Sequence, residues 1–215
     1  MTELLTVNEI FFSIQGESTF AGRPCAFVRL TYCNLRCHYC DTEHAFFEGS
    51  PMTVGRVLET VRGYPTELVE ITGGEPLAQA SVHPLTRRLL DEGKTVLIET
   101  GGSLDIRPVD QRAILIYDIK CPGSGMERKN LWSNLDHLRP QDEIKFVLSS
   151  RSDYDWAKGQ LQDRQLQRRH SILFSPVWGG LQPKELAEWI LLDGLPVRMQ
   201  VQLHKLLWGP HARGV

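Results

Sequence analysis

Three cysteines, Cys33, Cys37 and Cys40, fall within eight residues in the pattern C-x3-C-x2-C. Thiols this close on one loop can converge on a soft metal centre, which holds them deprotonated. Two centres suit such donors: an iron–sulfur cluster or zinc. A cubane cluster gripped by three cysteines leaves one iron open, and an open coordination position is where a metal site does chemistry. Zinc needs a fourth donor, which His38 or His44 could supply. Structural zinc motifs, however, usually come as two separated ligand pairs, and no second pair follows here. The spacing favours iron–sulfur. Cys25, in an apolar run, reads as a small buried hydrophobe; Cys121 is open to either reading. Five cysteines, an odd number, argue against a disulfide framework and for a reducing compartment.

The chain has 215 residues, 24 basic and 26 acidic, for a net charge of −2. That balance excludes a strongly basic nucleic-acid binder as the first reading. The longest apolar run, residues 113–117, is five residues, against about twenty needed to span a membrane. No apolar stretch near the start reads as a secretory signal. The expectation is a cytoplasmic protein with one domain over residues 1–215, with no membrane or direct nucleic-acid partner.

Strands and helices alternate. Residues 26–31 read as a strand entering the cysteine loop. Val54, Val57, Leu58 and Val61 follow helical spacing, predicting a helix over 53–62 with Thr53 as N-cap. Further strands are expected at 68–72, 95–100, 114–119, 143–148, 172–174 and 197–202, and further helices at 83–91, 153–168 and 183–192. This order predicts an α/β fold with a parallel sheet, an incomplete TIM-like (β/α)6-type partial barrel. In such folds reacting groups gather at the C-terminal ends of the strands. The cysteine loop, Gly73-Gly74-Glu75, Glu99-Thr100-Gly101 and Asp118-Ile119-Lys120 each follow a predicted strand, so all are expected to face one cavity.

The cysteine spacing, with aromatic Tyr39 before the last cysteine, resembles the radical S-adenosylmethionine (SAM) signature. Gly73-Gly74-Glu75-Pro76 is similar to that superfamily's SAM-binding glycine motif. Flanking segments narrow the resemblance: residues 12–17 (FSIQGE), Arg29, Cys40-Asp41-Thr42, residues 71–76 (ITGGEP), residues 98–101 (IETG) and residues 202–205 (QLHK). Together they resemble the 7-carboxy-7-deazaguanine synthase family over nearly the whole chain.

The resemblance implies a lyase acting on 6-carboxy-5,6,7,8-tetrahydropterin. It would form 7-carboxy-7-deazaguanine and ammonia, a step toward queuosine. It implies a 4Fe-4S cluster, SAM and magnesium (Mg2+) as cofactors, flavodoxin or ferredoxin as electron donor, and a homodimer. Carried over residue by residue, Cys33, Cys37 and Cys40 would hold the cluster and Thr42 the magnesium. Tyr39, Gly74, Asp118 and Lys120 would contact SAM. Ile14, Gln15, Gly16, Arg29 and Thr72 would contact substrate, and Glu17, Glu99, His204 and Lys205 are weaker candidates for the same cavity. The chemistry of these types agrees. Glycine lets backbone approach a ligand closely. The planar arginine fork suits a carboxylate, and a glutamine amide offers donor and acceptor together. Magnesium takes few protein ligands and completes its shell with substrate and water.

Two segments depart from the family pattern. Asp118-Ile119-Lys120 stands where a Ser-Pro-Lys turn is expected, and Ser175-Pro176-Val177-Trp178 where a Gln-Pro segment is. Residues 208–215 run past the last motif and are a candidate cover for the substrate. Competing readings are a glycyl-radical-enzyme activator with the same cysteine spacing, a zinc-stabilised non-catalytic module and a single-electron carrier.

Overall fold

The structure, a computed structural model, describes residues 3–215. Its sheet begins earlier than the sequence pattern suggests. Strand β1 (Leu4–Ile14) pairs antiparallel with β2 (Pro24–Leu30) and, on its other side, with β3 (Ser50–Thr53). The period-two alternation of β1 is interrupted by a register shift between Val7 and Glu9. That irregularity and the run Ile10-Phe11-Phe12 hide the strand from a periodicity reading.

From β2 onward every neighbour is parallel. The remaining strands are β4 (Leu68–Gly73), β5 (Thr95–Thr100), β6 (Ile114–Ile119), β7 (Glu143–Leu148), β8 (Ser171–Pro176) and β9 (Arg198–Met199). The order is β3-β1-β2-β4-β5-β6-β7-β8-β9, with β3 and β9 as free edges. The sheet therefore stays open, as expected of a (β/α)6-type partial barrel. The last strand, expected over 197–202, keeps ladder bonds only at its two-residue core.

Four crossover helices cover the outer face: α1 (Val54–Arg62), α2 (Val82–Asp91), α3 (Arg151–Arg164) and α4 (Pro183–Asp193). Thr53 caps α1 as expected, its hydroxyl accepting from Arg56 N at 3.2 Å. Helix α3 stops at Gln165, whose φ of 54° lies in the left-handed region, so residues 166–168 form a separate 3₁₀ turn. The β5–β6 and β6–β7 connections carry no α-helix. A short helix α5 (Leu203–Trp208) follows β9. Among the described residues no helix is long and apolar enough to cross a membrane.

The two faces of the sheet are unlike. Outward-facing Val28, Ile71, Ile98, Tyr117, Phe146 and Phe174 are essentially unexposed and pack against helix residues such as Val57, Leu85, Tyr154 and Leu186. Each such aliphatic or aromatic side chain contributes roughly 1.5–3 kcal/mol by burial. The inner face has only a small apolar plug, Phe11, Cys25, Phe27, Leu68 and Leu97. Above that plug it is polar.

The open side of the barrel is crossed by the β1–β2 loop. Ser18, in a left-handed conformation (φ 64°), donates its N–H to Gln200 Oε1 at 2.7 Å. Thr19 N–H donates to Glu143 Oε2 at 3.0 Å. Side chains of β7 and of the segment after β9 thus hold a loop from the opposite edge.

Candidate active site

A cavity of about 710 Å³ opens at the C-terminal ends of the strands. The cysteine loop runs from the end of β2 over its rim, fixed by backbone bonds from Tyr32 N to Ala45 O (2.8 Å) and from His38 N to Ser124 O (3.0 Å). Cys33, Cys37 and Cys40 all line the cavity. Cys33 is buried, whereas Cys37 and Cys40 are partly exposed, and none forms a disulfide. Burial pushes the thiols of Cys33 and Cys37 up, the latter to about 11, with Lys120 opposing the rise at both. Soft donors set together behind Leu35, Phe46 and Met126, held in place by backbone rather than by one another, fit the three-cornered grip of an iron–sulfur cluster. Among the described residues no group of three Cys, His, Asp or Glu side chains is placed to hold a single metal ion.

The glycine turn explains how β4 lies against this loop. A Cβ on Gly74 would stand 2.2 Å from Tyr32 O and 2.9 Å from Cys33 Cβ. Gly73 adopts φ 146°, and a Cβ there would meet Leu30 O at 2.1 Å. Only glycine permits both approaches. Glu75, fully buried, then ties the turn to β5: its carboxylate accepts from Gly101 N (2.7 Å), Thr100 Oγ1 (2.9 Å) and Leu77 N (3.0 Å).

Inward positions of successive strands supply the cavity's polar wall. Thr72 on β4 donates to Glu99 Oε2 on β5 at 3.3 Å. Lys145 on β7 contacts Glu99 Oε1 at 2.7 Å and also Glu17 of the β1–β2 loop. Burial alone would drive Lys145 toward the neutral amine. The two carboxylates outweigh it, and the ammonium is stabilised well above the ordinary lysine range. Glu17 is held low in turn, Lys145 overcoming the effect of its burial. On β6, Asp118 Oδ2 accepts from Lys120 Nζ at 2.7 Å, while Asp118 Oδ1 is buried with no protein partner. A buried acceptor in that state is fitted to a ligand's hydroxyl or amine.

The remaining sequence candidates fall around the same space. Arg29 Nε bonds Glu9 Oε1 at 2.8 Å, and its terminal nitrogens have no partner among the described residues. Tyr39 lines the cavity and anchors through its hydroxyl to Val147 O at 3.1 Å. Thr42 makes no capping bond, its hydroxyl lying 3.8 Å from Cys40 Sγ. Ile14, Gln15 and Gly16 form one wall. The Gln15 amide is turned inward, accepting from Glu17 N at 3.1 Å and donating to Glu70. The His204 ring packs on Gly16 so closely that a Cβ there would overlap it. Lys205, buried, reaches Asp41 Oδ2 at 2.5 Å, and Leu203 N bonds Gly16 O at 3.0 Å, docking α5 on the loop. Val177, Trp178 and residues 209–215 also line the cavity, Arg213 pairing with Glu48 at 3.0 Å. Glu9, Glu70 and Lys145 line it without having been expected. The signal for the last two is a charge set between apolar neighbours in a parallel strand, Glu70 between Val69 and Ile71 and Lys145 between Ile144 and Phe146.

The model of the radical SAM superfamily matches residues 28–115, the span from β2 through β6's start that carries the cysteines and the glycine turn. The chain is 47% identical to the 7-carboxy-7-deazaguanine synthase of Chlorobaculum tepidum over 214 residues, covering 98% of this chain and 97% of the relative. It is 42% identical to that of Koribacter versatilis, covering 98% and 100%. The crystal structure of QueE from Escherichia coli superposes with a TM-score of 0.76 at 24% identity, covering 94% of this chain and 95% of that one, a likeness that speaks for the fold. With a shared fold, near-complete coverage and a cavity reached by both motifs, the chain belongs to the 7-carboxy-7-deazaguanine synthase family.

Proposed function

We propose that the chain converts 6-carboxy-5,6,7,8-tetrahydropterin to 7-carboxy-7-deazaguanine with loss of ammonia, a carbon–nitrogen lyase step toward queuosine. The observation that carries this reading is a single cavity lined by three thiols, the Gly73-Gly74 turn and a charged inner wall. A 4Fe-4S cluster and SAM, when bound, supply the radical that opens the reaction. The chain itself orients and encloses. Cys33, Cys37 and Cys40 hold the cluster. Tyr39, Gly74, Asp118 and Lys120 hold SAM, with Asp118 Oδ1 free to accept from it. The free guanidinium nitrogens of Arg29 take the substrate carboxylate. Ile14, Gln15, Gly16 and Thr72 flank the heterocycle, and Glu17, Glu99, His204 and Lys205 set the charge around it. Residues 209–215 wall the cavity against water.

The reading extends to one catalytic domain across residues 1–215, supported by a core that runs from Leu5 to Ile190. It includes a cytoplasmic homodimer reduced by flavodoxin or ferredoxin, and the free thiols suit a reducing setting. The test is anaerobic incubation with carboxytetrahydropterin, SAM, dithionite and magnesium. Deazaguanine product supports the assignment; SAM cleavage without that product removes it.

Thr42 is assigned the magnesium ligand, since its hydroxyl is spent on no cap and lies beside the cluster loop. Thr42→Ala is expected to raise the magnesium concentration for half-maximal turnover about tenfold, the cost of one oxygen donor. Iron content should not change. An unaltered magnesium response would remove Thr42 from the site.

A further inference from the structure

Glu70 is a buried carboxyl group of the inner wall that pairs with no cation among the described residues. It sits on β4 beside Phe27 of β2 and Leu97 of β5, 6% exposed, and lines the cavity floor. Gln15 Nε2 donates to its Oε2. Its Oε1 has no partner among the described residues, and no described lysine or arginine is within salt-bridge reach. The neighbouring ammonium, Lys145, is already taken by Glu17 and Glu99. Because the Gln15 amide occupies Oε2 as an acceptor, a proton on this carboxyl belongs on Oε1. The free edge then offers an O–H donor beside a second acceptor lone pair.

We propose that Glu70, positioned by Gln15, reads the lactam edge of the substrate's fused aminopyrimidinone, donating to its carbonyl and accepting from its ring N–H. The inference rests on the pterin reading of this cavity and adds the group that selects the heterocycle. A donor–acceptor pair on the protein meets an acceptor–donor pair on the lactam in one planar ring of two hydrogen bonds. An analogue lacking the N–H leaves a buried polar group unpaired, which is how such sites discriminate.

The electrostatics agree with the geometry. Burial, and then the charge of Glu99, push the Glu70 carboxyl up to about 8. The ionisable groups facing it are Glu99 from β5, Glu17 from the β1–β2 loop, Lys145 from β7 and the Cys25 thiol from β2. Of these, only Lys145 opposes the rise by its charge. The carboxyl is thus protonated below about pH 8 and loses its donor above it, so substrate affinity is full on the acid side and falls as pH rises through that value.

The experiment measures KM and kcat for carboxytetrahydropterin and for its ring N-methylated lactam analogue, with reconstituted holoenzyme, across pH 6.5 to 9.5 as an assay range on the order of one and a half units to either side of the expected titration. Glu70→Leu should raise KM for the parent roughly tenfold to a hundredfold, leave uncoupled SAM cleavage unchanged and erase the preference over the analogue. Glu70→Gln, whose amide reproduces the neutral donor–acceptor edge, should restore KM and abolish its rise above about pH 8. If Glu70→Leu does not fold, Glu70→Gln alone decides through the pH profile. A Glu70→Gln enzyme as impaired as Glu70→Leu, or one whose KM follows the wild-type pH curve, overturns the proposal. So does a Glu70→Leu enzyme with wild-type KM and selectivity. Wild-type enzyme that forms no deazaguanine overturns the pterin reading itself, and Glu70's role with it.

Discussion

Cys37→Ala protein is expected to emerge from anaerobic reconstitution with less than one iron per chain, against about four in the parent, and with no detectable product. The loss should be confined to the site. Cys37 contributes its thiol to the cavity, while the loop around it is held by backbone bonds that an alanine keeps: Cys40 N to Cys37 O (3.2 Å), His38 N to Ser124 O and Tyr32 N to Ala45 O. Far-ultraviolet circular dichroism and the urea midpoint of cluster-free protein should therefore match the parent. Iron and sulfide analysis beside product assay checks both halves. A variant that retains four irons and turns over would show that Cys37 is not a ligand.

Lys145→Met is expected to cost about 3 kcal/mol of folding stability at pH 8, because it leaves the largely buried Glu17 carboxylate and the partly buried Glu99 carboxylate without the ammonium that joins them. The sign with pH follows from the native pKa values. In the parent, Lys145 holds Glu17 below its ordinary value, so that carboxylate stabilises the fold above its unfolded pKa and the contribution is lost as pH falls. In the variant the burial of Glu17 acts unopposed by Lys145, and protonation of that carboxyl relieves it. The deficit should therefore shrink between pH 8 and pH 5. Adding Glu17→Gln should recover part of it. Urea titrations of parent, single and double variants at the two pH values test this; a deficit that is small or independent of pH would mean the triad is solvated rather than buried.

Much of the site can be read from local spacing. The cysteine loop and the Gly73-Gly74 turn are short-range features. Their roles depend on backbone and ligand geometry within a few residues, so residue type and interval carry them. The helices over 53–62 and 183–192 were similarly legible from apolar periodicity and caps. What stayed hidden depends on pairing at long range. The β1 strand has a register shift that breaks its alternation, and β3 is four residues long with Pro51 inside it. Lys145 and Glu70 lie in strands that are apolar on both flanks, where periodicity alone does not say which face is wet. Only the sheet order brings Lys145 between Glu17 and Glu99, and Glu70 beneath Gln15. The Gln15 side chain also differs from its simplest reading: its amide is largely committed to Glu17 and Glu70 rather than pointing freely at a ligand.

The unlike faces of the sheet have a bearing on how such a protein can change. Ile71 and Thr72 are consecutive, yet one is clamped among helices while the other looks onto the cavity. Odd and even positions along a strand are in effect two interleaved texts, one written for cohesion and one for recognition. Where a letter of the second text carries no ion pair, as at Thr72, its substitution leaves the first intact, so a lineage can acquire a new ligand preference there without passing through an unfolded ancestor.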